Sequence, residues 1–260
     1  MRYHGKIEKK TQVNSSMRKY IKDNIKVYNA DSLQLMAVMV EKGVQVDCIA
    51  TDPPYRVTSR GSAGNSGGML QKSKNKSGKV FSENDCHVSK WAPLCYNLLK
   101  DTGHAYIMTN DKNLIEYLNV LTSVGFHFIK DIIWRKDNAI MGQYYMGCKE
   151  HILFFRKGAG VKIRKCGTKD VLDFPNKKLK RADGQNCHDT EKPIELMKTL
   201  IENSTDECEL VLDPFVGIGA TPLACMESGR KFIGAELDTK EGYWDILVNR
   251  LEHNGDYIIE

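Results

Sequence analysis

The sequence predicts an α/β fold built on a mostly parallel sheet with helices on both faces. Three observations predict it. Short apolar, β-branched runs recur along the 260 residues, the segments between most of them carry helical spacing, and two of the runs end in an acid followed by a turn of prolines or glycines. Sheets of this kind bind ligands beyond the carboxyl ends of their strands, where the strand order switches. Those two acids are therefore the first candidates for function.

The elements follow in order. Residues 1–24 form a basic arm, with seven Lys or Arg against Glu8 and Asp23, and no apolar stretch of the secretory kind. A strand is expected at Ile25–Tyr28. The helix expected over Asp31–Lys42 places Leu33, Met36, Met39 and Val40 on one face and stops at Gly43. The next strand, Val46–Ala50, runs into Thr51-Asp52-Pro53-Pro54-Tyr55. Residues 56–80, rich in Gly, Ser and Lys, read as a long mobile loop. Strands are expected at His104–Thr109, Phe128–Trp134 and His151–Phe155. A basic connection spans 156–189, with ten Lys or Arg between Arg156 and Arg181 against Asp170 and Asp173. A helix then starts at Pro193 and runs to Asn203, with Ile194, Met197, Leu200 and Ile201 on one face. Strands at Glu209–Leu212 and Lys231–Ala235 complete a seven-stranded sheet in one domain.

Composition narrows the classes. Hydrophobic content of 41% and charge of 27% are those of an ordinary globular protein. No apolar run approaches the ~18 residues of a membrane span, so no membrane partner is expected. The eight cysteines are scattered without a C-x-x-C pair, which argues against both a zinc site and a disulfide framework. Free thiols fit a cytoplasmic setting. His87, His104, His127 and His151 lack ligand spacing and read as structural. A basic segment on a chain whose last 55 residues are strongly acidic points to a polyanion partner.

The second acid site is Glu209 to Asp238. Here a strand ends at Asp213, a Gly217-x-Gly219 turn follows, and Thr221 and Pro222 suit the N-cap and first turn of a helix. The next strand ends at Glu236, about 20 residues beyond Gly217, where an acid can hold ribose hydroxyls. The third glycine of a dinucleotide fingerprint is replaced by Pro222, and Asp213 would repel a pyrophosphate. A cationic nucleoside without phosphates fits better, and S-adenosylmethionine has that description. The plainer reading is a tight strand–helix turn that binds nothing.

These residues resemble the amino-methyltransferases that modify exocyclic nitrogens in DNA, in the permuted beta class whose catalytic motif precedes the cofactor motif. Thr51-Asp52-Pro53-Pro54-Tyr55 matches their D-P-P-Y motif. Asp213-Pro214-Phe215-Val216-Gly217-Ile218-Gly219-Ala220-Thr221 matches their cofactor loop. His188 to Pro193 is similar to H-P-T-x-K-P, with Asp189 in place of proline. Ile133 to Lys136 with Glu150 to Phe155 is similar to the W-x-K…E-x-I-x-x-F stretch, and Asn29-Ala30-Asp31-Ser32 resembles the N-terminal G-D motif.

The resemblance implies a circularly permuted, Rossmann-like methyltransferase fold with both motifs on neighbouring strands. It implies transfer of a methyl group from S-adenosylmethionine to adenine N6 in DNA. The N4 of cytosine is the nearest alternative, and a catalytically silent DNA-binding module is the rival from another class. Asp52, Pro53, Pro54 and Tyr55 are the implied catalytic group, and Tyr55 would stack on a base taken out of the duplex. Asp31, Thr51, Asp52, Thr190, Lys192, Asp213, Pro214, Phe215, Gly217, Gly219, Thr221 and Glu236 are the implied cofactor contacts. Lys162, Arg164, Lys165, Lys177, Lys178, Lys180 and Arg181 are the expected DNA contacts, in a short target-recognition segment. Trp134 and Phe154 read as core. Members of the group often dimerise, so a homodimer is an expectation of the resemblance alone, and so are a restriction endonuclease partner and a bacterial or phage origin.

Overall fold

On the central strands, alternate side chains go to opposite faces of the sheet, and both faces are apolar. Cys48 and Ala50 face one cluster while Ile49 faces the other; Tyr106 and Met108 likewise oppose Ala105 and Ile107. The computed structural model describes residues 18–54, 86–140, 144–180, 184, 186–187, 191–238 and 242–256. The elements are β1 (Lys19–Lys22), β2 (Ile25–Tyr28), α1 (Ser32–Glu41), β3 (Val46–Thr51), α2 (Val88–Leu98), β4 (Leu99–Thr109), α3 (Leu114–Val124), β5 (His127–Ile140), β6 (Gly147–Arg156), β7 (Val171–Asp173), α4 (Ile194–Ser204), β8 (Leu210–Asp213), α5 (Ala220–Glu227), β9 (Lys231–Ala235) and α6 (Tyr243–Glu252).

The strands form one sheet in the order β1-β2-β9-β8-β3-β4-β6-β5-β7. From β2 through β4 the pairings are parallel, whereas β6 runs antiparallel to both β4 and β5. All seven expected strands are present. Two short strands extend the sheet beyond them: β1 is the end of the basic arm paired antiparallel to β2, and β7 is a piece of the basic connection laid parallel to β5. Neither has the apolar length that marks a strand in sequence.

The two core clusters are the two faces. Helices α4, α5 and α6 pack on one through Leu196, Leu200, Leu223, Ala224 and Leu247; α1, α2 and α3 pack on the other through Met36, Met39, Trp91, Leu98 and Leu121. Among the described residues, no helix is long and apolar enough to cross a membrane. The consequence for function lies in the neighbours β8 and β3, paired through Cys48–Val211 and Ile49–Leu212. They are far apart in sequence, yet both end on the same edge, one in Asp213 and the other just before Asp52.

Candidate active site

Asp213 is the knot of this edge. Its carboxylate is buried, and both oxygens are taken: Oδ1 accepts from the Thr51 hydroxyl at 2.6 Å and the Phe215 amide at 3.0 Å, and Oδ2 from the Thr221 hydroxyl at 2.5 Å. Burial pushes its pKa up to about 6 against the pull of these three donors. The side chain therefore shapes the turn from inside. Thr221 is not the N-cap expected of it. That place belongs to Gly219 in a left-handed conformation (φ 98°), with Thr221 turned inward to Asp213 and Pro222 in the first turn of α5. Pro193 likewise sits at the N-cap of α4 rather than at its first helical position.

The glycine turn is tied to the next strand. Gly217 has φ 57° and donates its amide to Glu236 Oε2 at 2.7 Å, so the acid at the end of β9 and the turn after β8 are fixed together. Val216 donates to the Ala235 carbonyl at 3.0 Å. Phe215 packs its ring edge-on to the fully buried Trp91, with centroids 6.1 Å apart. Asp31 lies beyond β2 on the same edge, where its Oδ1 caps α1 through the amides of Leu33 and Gln34 at 2.8 and 3.2 Å.

Asp52 leads into a chain of four buried or half-buried charges. Lys192 Nζ lies 2.5 Å from Asp52 Oδ2 and 3.3 Å from Glu150 Oε2, and Lys136 Nζ lies 2.5 Å from Glu150 Oε1. Glu150 stands opposite Trp134 in the β5–β6 ladder, and Lys136 reaches over the Trp134 ring at 4.7 Å from its centroid. Asp52 Oδ1, in contrast, is buried with no hydrogen-bond partner among the described residues. Burial raises the Asp52 carboxyl above its ordinary value despite Lys192; for Glu150 the two lysines outweigh burial and hold it low. A buried carboxylate oxygen without a partner among the described residues is where a ligand's donor fits.

The basic segment does not gather at this edge as a unit. Arg164 forms a two-pronged pair with Asp206 at 2.8 and 2.7 Å, and Lys165 pairs with Glu202 at 2.6 Å. Asp206 lies where α4 hands over to the start of β8, the opposite end of that strand from Asp213. Lys162 precedes this pair in the same stretch. Expected together with Lys177, Lys178 and Lys180 as DNA contacts, these three residues instead lie at the far edge, because the chain leaves β6 there and climbs back along β7. Past β7, Trp134 Nε1 donates to the Phe174 carbonyl at 2.8 Å and the chain reaches the site edge. Lys178 is half-buried, donates to the Glu191 carbonyl, and has its pKa lowered to about 8 by burial and by Lys192 and Lys136. Lys177 and Lys180 are exposed. Tyr55, Thr190, Arg181 and the 56–80 loop lie outside the described residues.

In sequence, Glu150 and Lys136 stand only as parts of a motif, with no role of their own. The signal was available, since Glu150 shares the alternation of Ile152 and Phe154, and a charge on a buried face requires a partner. Glu191 was missed too. That buried acid accepts from the Leu179 amide at 2.8 Å and pairs with Arg250 at 3.0 Å, and Arg250 in turn donates to the Ile218 carbonyl of the glycine turn at 2.8 Å. Trp134 is fully buried and Phe154 stacks on Tyr106, as core residues do.

Comparison with known proteins gives the family. A DNA methylase family model, covering N6 and N4 enzymes, matches residues 46–249. The Type II methyltransferase M2.DpnII of Streptococcus pneumoniae is 29% identical over 252 residues, covering 90% of this chain and 91% of its own. The Type II methyltransferase M2.LlaDCHI of Lactococcus lactis subsp. cremoris is 28% identical, covering 92% and 93%. In fold, the chain is similar to the crystal structure of the M1.HpyAVI–SAM complex, with a TM-score of 0.64 over 87% of this chain and 99% of that one, at 24% identity. From Val46, where the strand of Asp52 begins, into α6, this chain belongs to the DNA methylase family of N6- and N4-amino-methyltransferases.

Proposed function

We propose that the chain transfers a methyl group from S-adenosylmethionine to the exocyclic N6 of adenine in DNA. The observation that carries this reading is the buried Oδ1 of Asp52, without a hydrogen-bond partner among the described residues, beside the knotted glycine turn. When bound, S-adenosylmethionine supplies an electrophilic methyl group on a cationic sulfur. Gly217 and Gly219 would let the backbone pass close to its methionine portion, with Phe215 alongside, and Glu236 would hold its ribose hydroxyls. Asp213 contributes by holding this turn to Thr51 rather than by touching the cofactor.

The amine itself is a poor nucleophile, because its lone pair is delocalised into the ring. Asp52 Oδ1 and the Pro53 carbonyl accept its two hydrogens, draw the nitrogen toward tetrahedral geometry and localise the lone pair. The two prolines stiffen that pair of acceptors. As the N–CH3 bond forms and the S–CH3 bond breaks, the surplus amine proton has Asp52 as an acceptor already in place, and its raised pKa suits that task. The target base must leave the duplex to reach this edge, and Tyr55 is the proposed stacking face. An acid at the first position of the motif favours adenine over cytosine, and Type II relatives support a place beside a restriction endonuclease.

Incubation with duplex DNA and labelled S-adenosylmethionine, followed by digestion to nucleosides, tests the reading. The label is expected in N6-methyldeoxyadenosine. Label in N4-methyldeoxycytidine alone contradicts the choice of base, and no transfer to any of several DNAs contradicts the activity.

A further inference from the structure

Four charges on four segments form one row: Asp52 after β3, Lys192 before α4, Glu150 on β6 and Lys136 on β5. The ammonium paired with Asp52 is also held by a second carboxylate, and that carboxylate is held by a second ammonium. At the far end Lys136 lies over Trp134, which is fully buried and hydrogen-bonded through its indole to the Phe174 carbonyl. The row is tied to the β5–β6 ladder through Glu150, which stands opposite Trp134, while Lys136 lies just past the last regular pair, Arg135–Lys149.

We propose that Glu150, braced by Lys136, is a positioning residue that keeps Lys192 on one oxygen of Asp52 and leaves the other oxygen for the target amine. The proposal rests on the reading of Asp52 as the amine acceptor. An ammonium with no second carboxylate to hold it would settle between both oxygens of Asp52 and weaken each as an acceptor. Glu150 draws it to the side of Oδ2, and Oδ1 has no hydrogen-bond partner among the described residues. With Lys136 included, two positive and two negative groups balance, so the row is not left with an uncompensated buried charge. Other ionisable groups near Asp52 and the row are Lys178 beyond β7, Asp213 at the end of β8 and Tyr117 on α3. Burial is the largest influence on the Asp52 carboxyl, with Lys192 pulling it down, Glu150 pushing it up and Lys136 pulling it down.

The two braces have opposite charge, so their removal must act in opposite directions. Single-turnover methyl transfer is measured against pH for Glu150→Gln and Lys136→Met, with cofactor affinity and thermal unfolding followed in parallel. Glu150→Gln is expected to slow transfer roughly tenfold or more and to move the acid limb of the profile to lower pH. Lys136→Met is expected to move that limb to higher pH. Cofactor affinity should stay at the wild-type value in both. Limbs that do not move, or that move the same way, overturn the proposal, as does a loss confined to cofactor binding. If Glu150→Gln fails to fold, Lys136→Met decides alone: an upward shift supports the brace and an unmoved limb removes it. Asp52→Asn separates the two levels. If that variant transfers at the wild-type rate, the acceptor reading fails; if it is inactive while both limbs stay put, only the brace fails.

Discussion

The Thr51 hydroxyl donates to Asp213 Oδ1 at 2.6 Å across the seam between β3 and β8. Beside the ladder pairs Cys48–Val211 and Ile49–Leu212, that bond ties the end of the strand that presents Asp52 to the end of the strand that carries the glycine turn, although the two are separated by most of the chain. Replacing Thr51 by Val keeps the shape and removes the donor. The buried carboxylate then loses one of three partners, and a loss of about 1–3 kcal/mol in unfolding free energy is expected. A urea midpoint equal to wild type would show that the seam is held by its backbone ladder and packing without this bond.

Asp213 also sets a pH dependence. Its carboxyl titrates at about 6 in the folded chain against an ordinary value of 3.8. A raised pKa means that the folded state binds the extra proton, so the stability it gives is full below the unfolded value and is lost as pH rises through the folded one. Relative to Asp213→Asn, the wild type should lose stability between about pH 4 and pH 6 and change little above. Parallel urea midpoints across that window would contradict the assignment.

Gly234 sits where β9 passes β8. A Cβ there would stand 2.4 Å from the Asp213 carbonyl oxygen and 2.6 Å from Val216 Cγ2. Gly234→Ala should push β9 away from the turn, cost on the order of 2 kcal/mol, and weaken binding of S-adenosylmethionine because Gly217 and Glu236 part. Calorimetric titration reads the second effect, and unchanged affinity would remove the turn from the cofactor site.

The split basic segment predicts two responses to salt. Lys177→Gln with Lys180→Gln should flatten the dependence of DNA affinity on salt, by about 0.9 in log–log slope for each phosphate no longer neutralised. Arg164→Gln with Lys165→Gln should leave that slope unchanged, since both side chains are paired with Asp206 and Glu202 at the far edge. Equal effects of the two double variants would mean that DNA reaches both edges.

The seven main strands are legible in the sequence because each is a β-branched run bounded by turn residues, and Asp52, Asp213 and Glu236 fall visibly on strand ends. That Asp213 faces inward is not legible, because a strand-terminal acid reads the same whether it meets a ligand or two threonines. Nor is the separation of Arg164 from Lys178. Charge density along a chain carries no information about which end of a sheet each residue reaches, and the three-residue β7 that carries the chain back to the site edge is too short to show a period. Alternation with Ile152 and Phe154 shows that Glu150 needs a partner, but which partners it meets lies in cross-strand register, which only the folded sheet supplies.

The central claim is that Asp52 acts on the target amine and not on the cofactor. It is tested most directly by measuring S-adenosylmethionine affinity and single-turnover methyl transfer side by side for Asp52→Ala. Transfer is expected to be abolished while cofactor affinity stays close to wild type. Loss of both together, or transfer that survives, would contradict it.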